Sequence, residues 1–205
     1  MRSVGIVEYG AGNLDSVARA VEYCGGKPLV TETPKDLRRA THIILPGVGS
    51  FAVGMKNLRA RGYEEELHEQ VRAKNLPFMG ICLGMQFLAT FGTEPVDTPG
   101  LGWINGRVNR LIPSSLEEKV PHMGWNNVEP EKTSTILEGI EPGKDFYFVH
   151  SYHFAVAEPP DVLTTTPYCG GFVSAVAKEN IFGVQFHPEK SQKAGFQILK
   201  NFLAI

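Results

Sequence analysis

The amino-acid sequence predicts an α/β protein: a central, mostly parallel sheet with flanking helices, extended by added antiparallel strands in the second half. Three observations carry this. Over the first ~90 residues, short apolar runs alternate with stretches of helical periodicity, as when right-handed crossovers build a parallel sheet. Beyond Gly92 one β-type run follows another. No Pro/Ser/Gly-rich linker, internal repeat or low-complexity tract parts the halves, so residues 1–205 read as one domain.

The elements follow in order. Val4-Gly5-Ile6-Val7 reads as the first strand, and Glu8-Tyr9-Gly10-Ala11-Gly12-Asn13 turns out of it, with Asn13 a helix-capping residue type. Leu14, Val17, Ala18, Val21 and Cys24 recur at helical spacing until Gly25-Gly26 ends the helix, so Cys24 reads as core. A strand near Pro28-Leu29-Val30, a helix-prone segment over 34–40, a strand over 42–45 and a helical stretch over about 54–74 come next. An apolar strand headed by Pro77 then runs to Cys82, with Met85, Phe87, Leu88 and Ala89 predicting a helix after it. Asn105-Gly106 between the apolar segments 101–104 and 108–112 predicts a hairpin. Further β-type runs lie over 145–155, 162–166, 172–177 and 181–186. A closing helix over 191–204 is predicted to bury Phe196, Leu199, Phe202 and Leu203.

Composition narrows the function classes. Apolar residues make up 42% of the 205, and a net charge of −2 gives no electrostatic reason to expect nucleic acid or an anionic membrane as partner. No apolar run approaches the ~20 residues of a membrane span. Met1-Arg2-Ser3 leads straight into the first strand without the pattern of a signal peptide. Cys24, Cys82 and Cys169 are odd in number and widely spaced, which argues against a disulfide framework. The expected location is the reducing cytoplasm. Six histidines show no metal-ligand spacing, and neither Cys-x-x-Cys nor His-Glu-x-x-His is present, so no metal or cofactor is expected. Cys169, at a turn between strands, reads as structural.

The chemistry concentrates in two segments. Gly80-Ile81-Cys82-Leu83-Gly84 at a strand-to-helix junction has the form of a nucleophile elbow, in which glycines flank an attacking side chain held on a strained turn. The helix after it would add partial positive charge beside the sulfur and favour thiolate. A buried cysteine beside two loop glycines is the plain alternative. In the second half, the strand Ile181–Phe186 ends in His187-Pro188-Glu189. Residues i and i+2 of an extended chain face one side, so Glu189 can hold one ring nitrogen of His187 while the other faces a thiol. A cysteine, a histidine and an orienting carboxylate form the general apparatus of thiolate catalysis.

With Cys82, His187 and Glu189 in this order, the chain resembles the class I (triad-type) glutamine amidotransferases over essentially its whole length. Further segments look like one branch of that family, the glutamine amidotransferase subunit of imidazole glycerol phosphate synthase. They are Tyr9-Gly10-Ala11-Gly12-Asn13, Pro46-Gly47-Val48-Gly49-Ser50-Phe51, Pro121-His122-Met123-Gly124-Trp125-Asn126, Tyr147-Phe148-Val149-His150-Ser151-Tyr152 and His187-Pro188-Glu189-Lys190-Ser191. Glu8 departs from the family, which more often has Asp there.

The resemblance implies the following. Cys82, His187 and Glu189 form the triad that hydrolyses glutamine to glutamate and ammonia through a thioester. Backbone N–H groups of Leu83 and of the Val48-Gly49 turn form the oxyanion hole. Gln86, Glu94, Ser151 and Tyr152 contact glutamine. The partner is a cyclase subunit, a (β/α)8 barrel joined as a heterodimer, which takes up the ammonia to make imidazole glycerol phosphate and aminoimidazole carboxamide ribonucleotide. Asn13, Trp125, Tyr147 and Lys190 match interface positions. Plain alternatives stand beside these roles: a helix cap for Asn13, core for Trp125, a strand aromatic for Tyr147, a solvated charge for Lys190 or Glu94, and a solvated helix residue for Gln86. The glycines at 47 and 49 suggest that the Val48 peptide is not fully set as a donor in the free subunit. Two rival functions are a cysteine hydrolase of peptides or γ-glutamyl conjugates and a non-enzymatic binding module on the same scaffold.

Overall fold

A computed structural model describes residues 2–205. Five strands in its first part and near its end are β1 (Ser3–Ile6), β2 (Lys27–Val30), β3 (His42–Gly47), β4 (Phe78–Cys82) and, far along the chain, β13 (Ile181–Val184). Between the earlier ones lie α1 (Leu14–Tyr23), a 3-10 turn over Pro34–Arg39, α2 (Phe51–Ala60), α3 (Tyr63–Leu67) and a π-helical turn over His68–Ala73. A one-turn α4 (Leu83–Gln86) follows β4 directly. The middle of the chain supplies β5 (Phe91–Gly92), β6 (Thr98–Pro99), β7 (Gly106–Arg110), β8 (His122–Pro130), β9 (Lys144–His150), β10 (Tyr152–Val156), β11 (Val162–Thr166) and β12 (Phe172–Lys178). The chain closes with α5 (Gln192–Ala204).

Nine strands form one sheet in the order β2-β1-β3-β4-β13-β12-β11-β8-β9. The first five are parallel and the others antiparallel. The second sheet runs β10-β7-β5-β6. Two apolar clusters hold the layers together. Val17 and Val21 of α1 pack with Val4, Ile6 and the α5 residues Ile198 and Phe202. Phe51, Met55 and Leu58 of α2 pack with Phe78, Phe87 and Trp103. Burying one such side chain contributes roughly 1.5–3 kcal/mol, which makes these clusters the main support of the frame that carries the site.

Several expectations are corrected. The helical stretch over 54–74 breaks at Gly62, whose φ of 73° ends α2, and continues as α3 and the π turn. The helix after Cys82 is a single turn, so its dipole adds little at the sulfur. No hairpin forms over 101–112. The Trp103 and Ile104 N–H groups instead both donate to the Leu88 carbonyl at 3.0 Å, wrapping this segment around the end of α4. Gly106 serves close approach rather than a turn, because a Cβ there would run into the Ala155 carbonyl of the neighbouring strand. The run over 145–155 is split at Ser151 into β9 and β10, which belong to different sheets. The last strand ends at Val184, and β8 went unpredicted. Phe196 is half-buried, its ring 4.6 Å from that of Tyr23, and Cys24 is partly buried against the core.

Candidate active site

β3, β4 and β13 lie side by side in parallel, so their carboxyl ends open on one edge of the sheet. Register places Gly47 opposite Cys82 and Val184 opposite Ile81. The Val48-Gly49 turn and the segment Gln185–His187 therefore flank the cysteine from two sides. Cys82 has φ 54° and ψ −109°, a conformation that costs a non-glycine residue about 1–3 kcal/mol. The flanking glycines are sterically required. A Cβ at Gly80 would lie 2.5 Å from the Gly84 carbonyl oxygen, and one at Gly84 would run into the Leu45 carbonyl oxygen.

His187 and Glu189 meet as the spacing predicts, with Nδ1 of the ring 2.8 Å from Oε1 of the carboxylate. Both side chains are almost wholly buried, at 4% and 2% exposure. Nε2 of His187 is buried with no partner in full hydrogen-bond geometry, and the Cys82 sulfur lies close enough to act on the ring. Burial opposes the charged ring. The Cys82 sulfur and the Glu189 carboxylate outweigh it and push the histidine up to about 10.

The cleft beside the sulfur measures about 140 Å³. Its lining includes Gly49, Leu83, Gln86, Glu94, Ser151 and Tyr152, residues singled out in the sequence and here brought to one place. Gln86 is buried, not a solvated helix residue. Its Nε2 donates to the Tyr152 carbonyl at 2.9 Å and to Oε1 of Gln185 at 3.0 Å. Glu94 is half-buried rather than a free surface charge. Its Oε2 accepts the Phe51 N–H at the start of α2, and burial pushes its carboxyl up. Val48 is 44% exposed, and Gly49 has φ 100°.

The candidate interface residues divide. Asn13 caps α1, its Oδ1 accepting the Ser16 N–H at 3.3 Å. Trp125 is not core: at 48% exposure it stands edge-on to Tyr147, over whose ring the Lys190 ammonium lies. Glu8 bends back to accept the Gly10 N–H and pairs with Arg61, holding the turn after β1.

Three features of the site were missed from sequence. The Gln185 amide donates to the Cys82 sulfur at 3.5 Å. The same i, i+2 rule that linked His187 to Glu189 would have turned Gln185 toward the site. Buried Tyr9 lies against Gly47 with its hydroxyl unpartnered. Finally, β8 and β9 pair His122 with His150. The Tyr152 carbonyl can only accept, so Nδ1 of His150 carries the proton; Nε2 then accepts from His122 at 3.0 Å, and His122 accepts from Asn126 at 3.2 Å. Burial pushes His122 down to about 4 and His150 down to about 3, so both rings stay neutral. The members of this hydrogen-bonded chain lie in the two segments 121–126 and 147–152 already singled out, but only the pairing of β8 with β9 joins them. Among the described residues no group of three His, Cys, Asp or Glu side chains is placed to hold a metal ion.

The family model for glutamine amidotransferase class-I matches residues 6–205. The chain belongs to this family. A Pseudomonas aeruginosa protein named imidazole glycerol phosphate synthase subunit HisH 2 is 44% identical over 200 residues, 98% of each chain. The Cereibacter sphaeroides subunit HisH is 44% identical over 204 residues, 97% of this chain and 96% of its own. Among solved structures, PurLQS from Thermotoga maritima superposes with a TM-score of 0.75 at 20% identity, covering 100% of this chain and 99% of that one. A glutamine amidotransferase crystal structure gives 0.74 at 19% identity, covering 98% and 99%. These likenesses show the amidotransferase fold. No helix among the described residues is long and apolar enough to cross a membrane.

Proposed function

We propose that this chain is the glutaminase subunit of an imidazole glycerol phosphate synthase, acting as one cytoplasmic domain and feeding ammonia to a cyclase partner in histidine biosynthesis. The observation that carries the proposal is the Cys82–His187–Glu189 arrangement beside a small cleft, in a chain that matches the HisH relatives end to end. The thiolate of Cys82 attacks the side-chain amide carbon of glutamine, forming a C–S bond and an oxyanion. The N–H groups of Leu83 and of the Val48-Gly49 turn are the donors for that oxyanion, and one such donor is worth ~3 kcal/mol of barrier. Collapse breaks the C–N bond as His187 gives its Nε2 proton to the departing ammonia, leaving a γ-glutamyl thioester.

The sulfur then carries no charge, so one cause of the ring's high proton affinity is gone. Neutral His187 takes a proton from water, which attacks the thioester and releases glutamate and thiolate. Both amide protons of Gln86 are committed, so it has only Oε1 to offer, an acceptor suited to an N–H of glutamine. Glu94 suits the ammonium group, and the Ser151-Tyr152 backbone completes the pocket. The cleft is well below the ~300 Å³ at which drug-sized pockets begin, which favours an amino acid over a peptide.

The partner is a (β/α)8-barrel cyclase bound as a heterodimer through Trp125, Tyr147, Lys190 and the region of Asn13, with ammonia channelled between subunits. The test measures glutamate release and product formation with candidate cyclase and its nucleotide substrate. Glutamine hydrolysis should be faster in the complex than in the free chain. Cys82→Ser should lower glutamine-dependent synthesis by at least about 1,000-fold and leave synthesis from added ammonia intact. Equal loss of both activities would overturn the division of labour.

A further inference from the structure

We propose that Gln185 is a further catalytic residue: its side-chain amide is a fixed, uncharged donor to the Cys82 sulfur that stabilises the thiolate. Gln185 is fully buried, and its Nε2 lies 3.5 Å from Sγ. Its orientation is dictated by its neighbours. Gln86 Nε2 gives its two protons to the Tyr152 carbonyl and to Oε1 of Gln185, so the oxygen of Gln185 faces Gln86 and its NH2 faces the sulfur. The main chain is held as well. The Gln185 N–H donates to Ser174 at 2.8 Å, and the parallel register of β13 with β4 sets residue 185 next to residue 82.

The sulfur has a different use for each neighbour. As a thiol it points at the Val149 carbonyl, 3.9 Å away, a contact a thiolate cannot make. As a thiolate it needs donors, and a one-turn helix supplies few. His187 is one donor, but it loses that proton to ammonia during each turnover. Gln185 has no proton to lose, so its N–H remains for the thiolate that departs when water cleaves the thioester. A buried hydrogen bond to a charged group is stronger than one between neutral groups, so the contact favours the ionised sulfur. The inference relies on the proposed function only for naming Cys82 as nucleophile.

The test is alkylation of Cys82 by iodoacetamide as a function of pH, followed by peptide mass spectrometry, which needs neither glutamine nor partner. Gln185→Met keeps the length and removes the donor; it should move the rate–pH curve up by about one unit, slowing labelling at pH 7 by about tenfold. Gln185→Glu, which turns an acceptor oxygen to the sulfur, should slow it further. Labelling unchanged at every pH in both variants would overturn the proposal. Because residue 185 is fully buried, NMR of the wild-type chain gives a second reading that does not depend on variants folding. One Gln185 side-chain amide proton should resonate downfield and return to the ordinary range when Cys82 is capped by S-methylthiolation. An amide signal indifferent to capping would likewise overturn the role. Absence of glutamate release in the wild-type complex would instead sink the proposed function while leaving these profiles in place.

Discussion

Cys82 holds its sulfur at the cleft by accepting a backbone conformation that suits glycine. This makes a reversed stability order predictable. Glycine normally destabilises relative to alanine, yet at position 82 the Cys82→Gly protein should be more stable than Cys82→Ala by about 1–2 kcal/mol in urea unfolding. The ordinary order would mean the elbow is unstrained. Much of the proposed triad was legible because each half sits in a short contiguous motif: two glycines around Cys82, and two residues from His187 to Glu189. Gln86 and Glu94 were singled out only through the family resemblance, and Gln185 not at all. Their burial and hydrogen bonds come from partners as far as 103 residues away in the chain, which no local pattern displays.

At the scale of elements, the β8–β9 ribbon links the outside of the molecule to the site. Its outward side carries Trp125 and Tyr147, whereas its inward side carries His122 and His150. Its backbone accepts the Cys82 thiol at Val149 and the His187 N–H at Tyr147. Trp125 is half-exposed and supports little of the core. Trp125→Ala should therefore leave thermal unfolding nearly unchanged while weakening cyclase binding by ~2 kcal/mol, about 30-fold in Kd. Isothermal titration reads this directly, and unaltered affinity would remove the ribbon from the interface. The parallel strands were legible from alternation with helices. β8 was not, because its polar, glycine-interrupted segment lacks strand periodicity, and Asn105-Gly106 misled because its glycine serves a close contact with β10 instead of a turn.

At the scale of the whole molecule, four buried histidines set opposite pH limits on stability. Burial pushes His42 and His122 down to about 4 and His150 down to about 3. Below the unfolded value of about 6.5, the unfolded chain binds protons that these folded rings refuse, so stability is lost as pH falls from there toward 4 and below. His187 is raised to about 10 in the folded chain, so its contribution is complete below about 6.5 and is lost as pH rises through 10. Each group changes stability by at most ~1.4 kcal/mol per pH unit. Urea unfolding should give a maximum near pH 6–7 with a decline on both sides, and a stability that rises steadily from pH 6.5 to 10 would contradict the charged state of His187.

The most direct measurement of the central claim is acid-quenched mass spectrometry of the Cys82 peptide while the complex turns over glutamine. The account predicts a γ-glutamyl group on the Cys82 sulfur, accumulating further in Glu189→Gln, where the weakened histidine slows thioester hydrolysis. Glutamate formed at the full rate while Cys82 stays unmodified, or a γ-glutamyl group carried by any other residue, would contradict it.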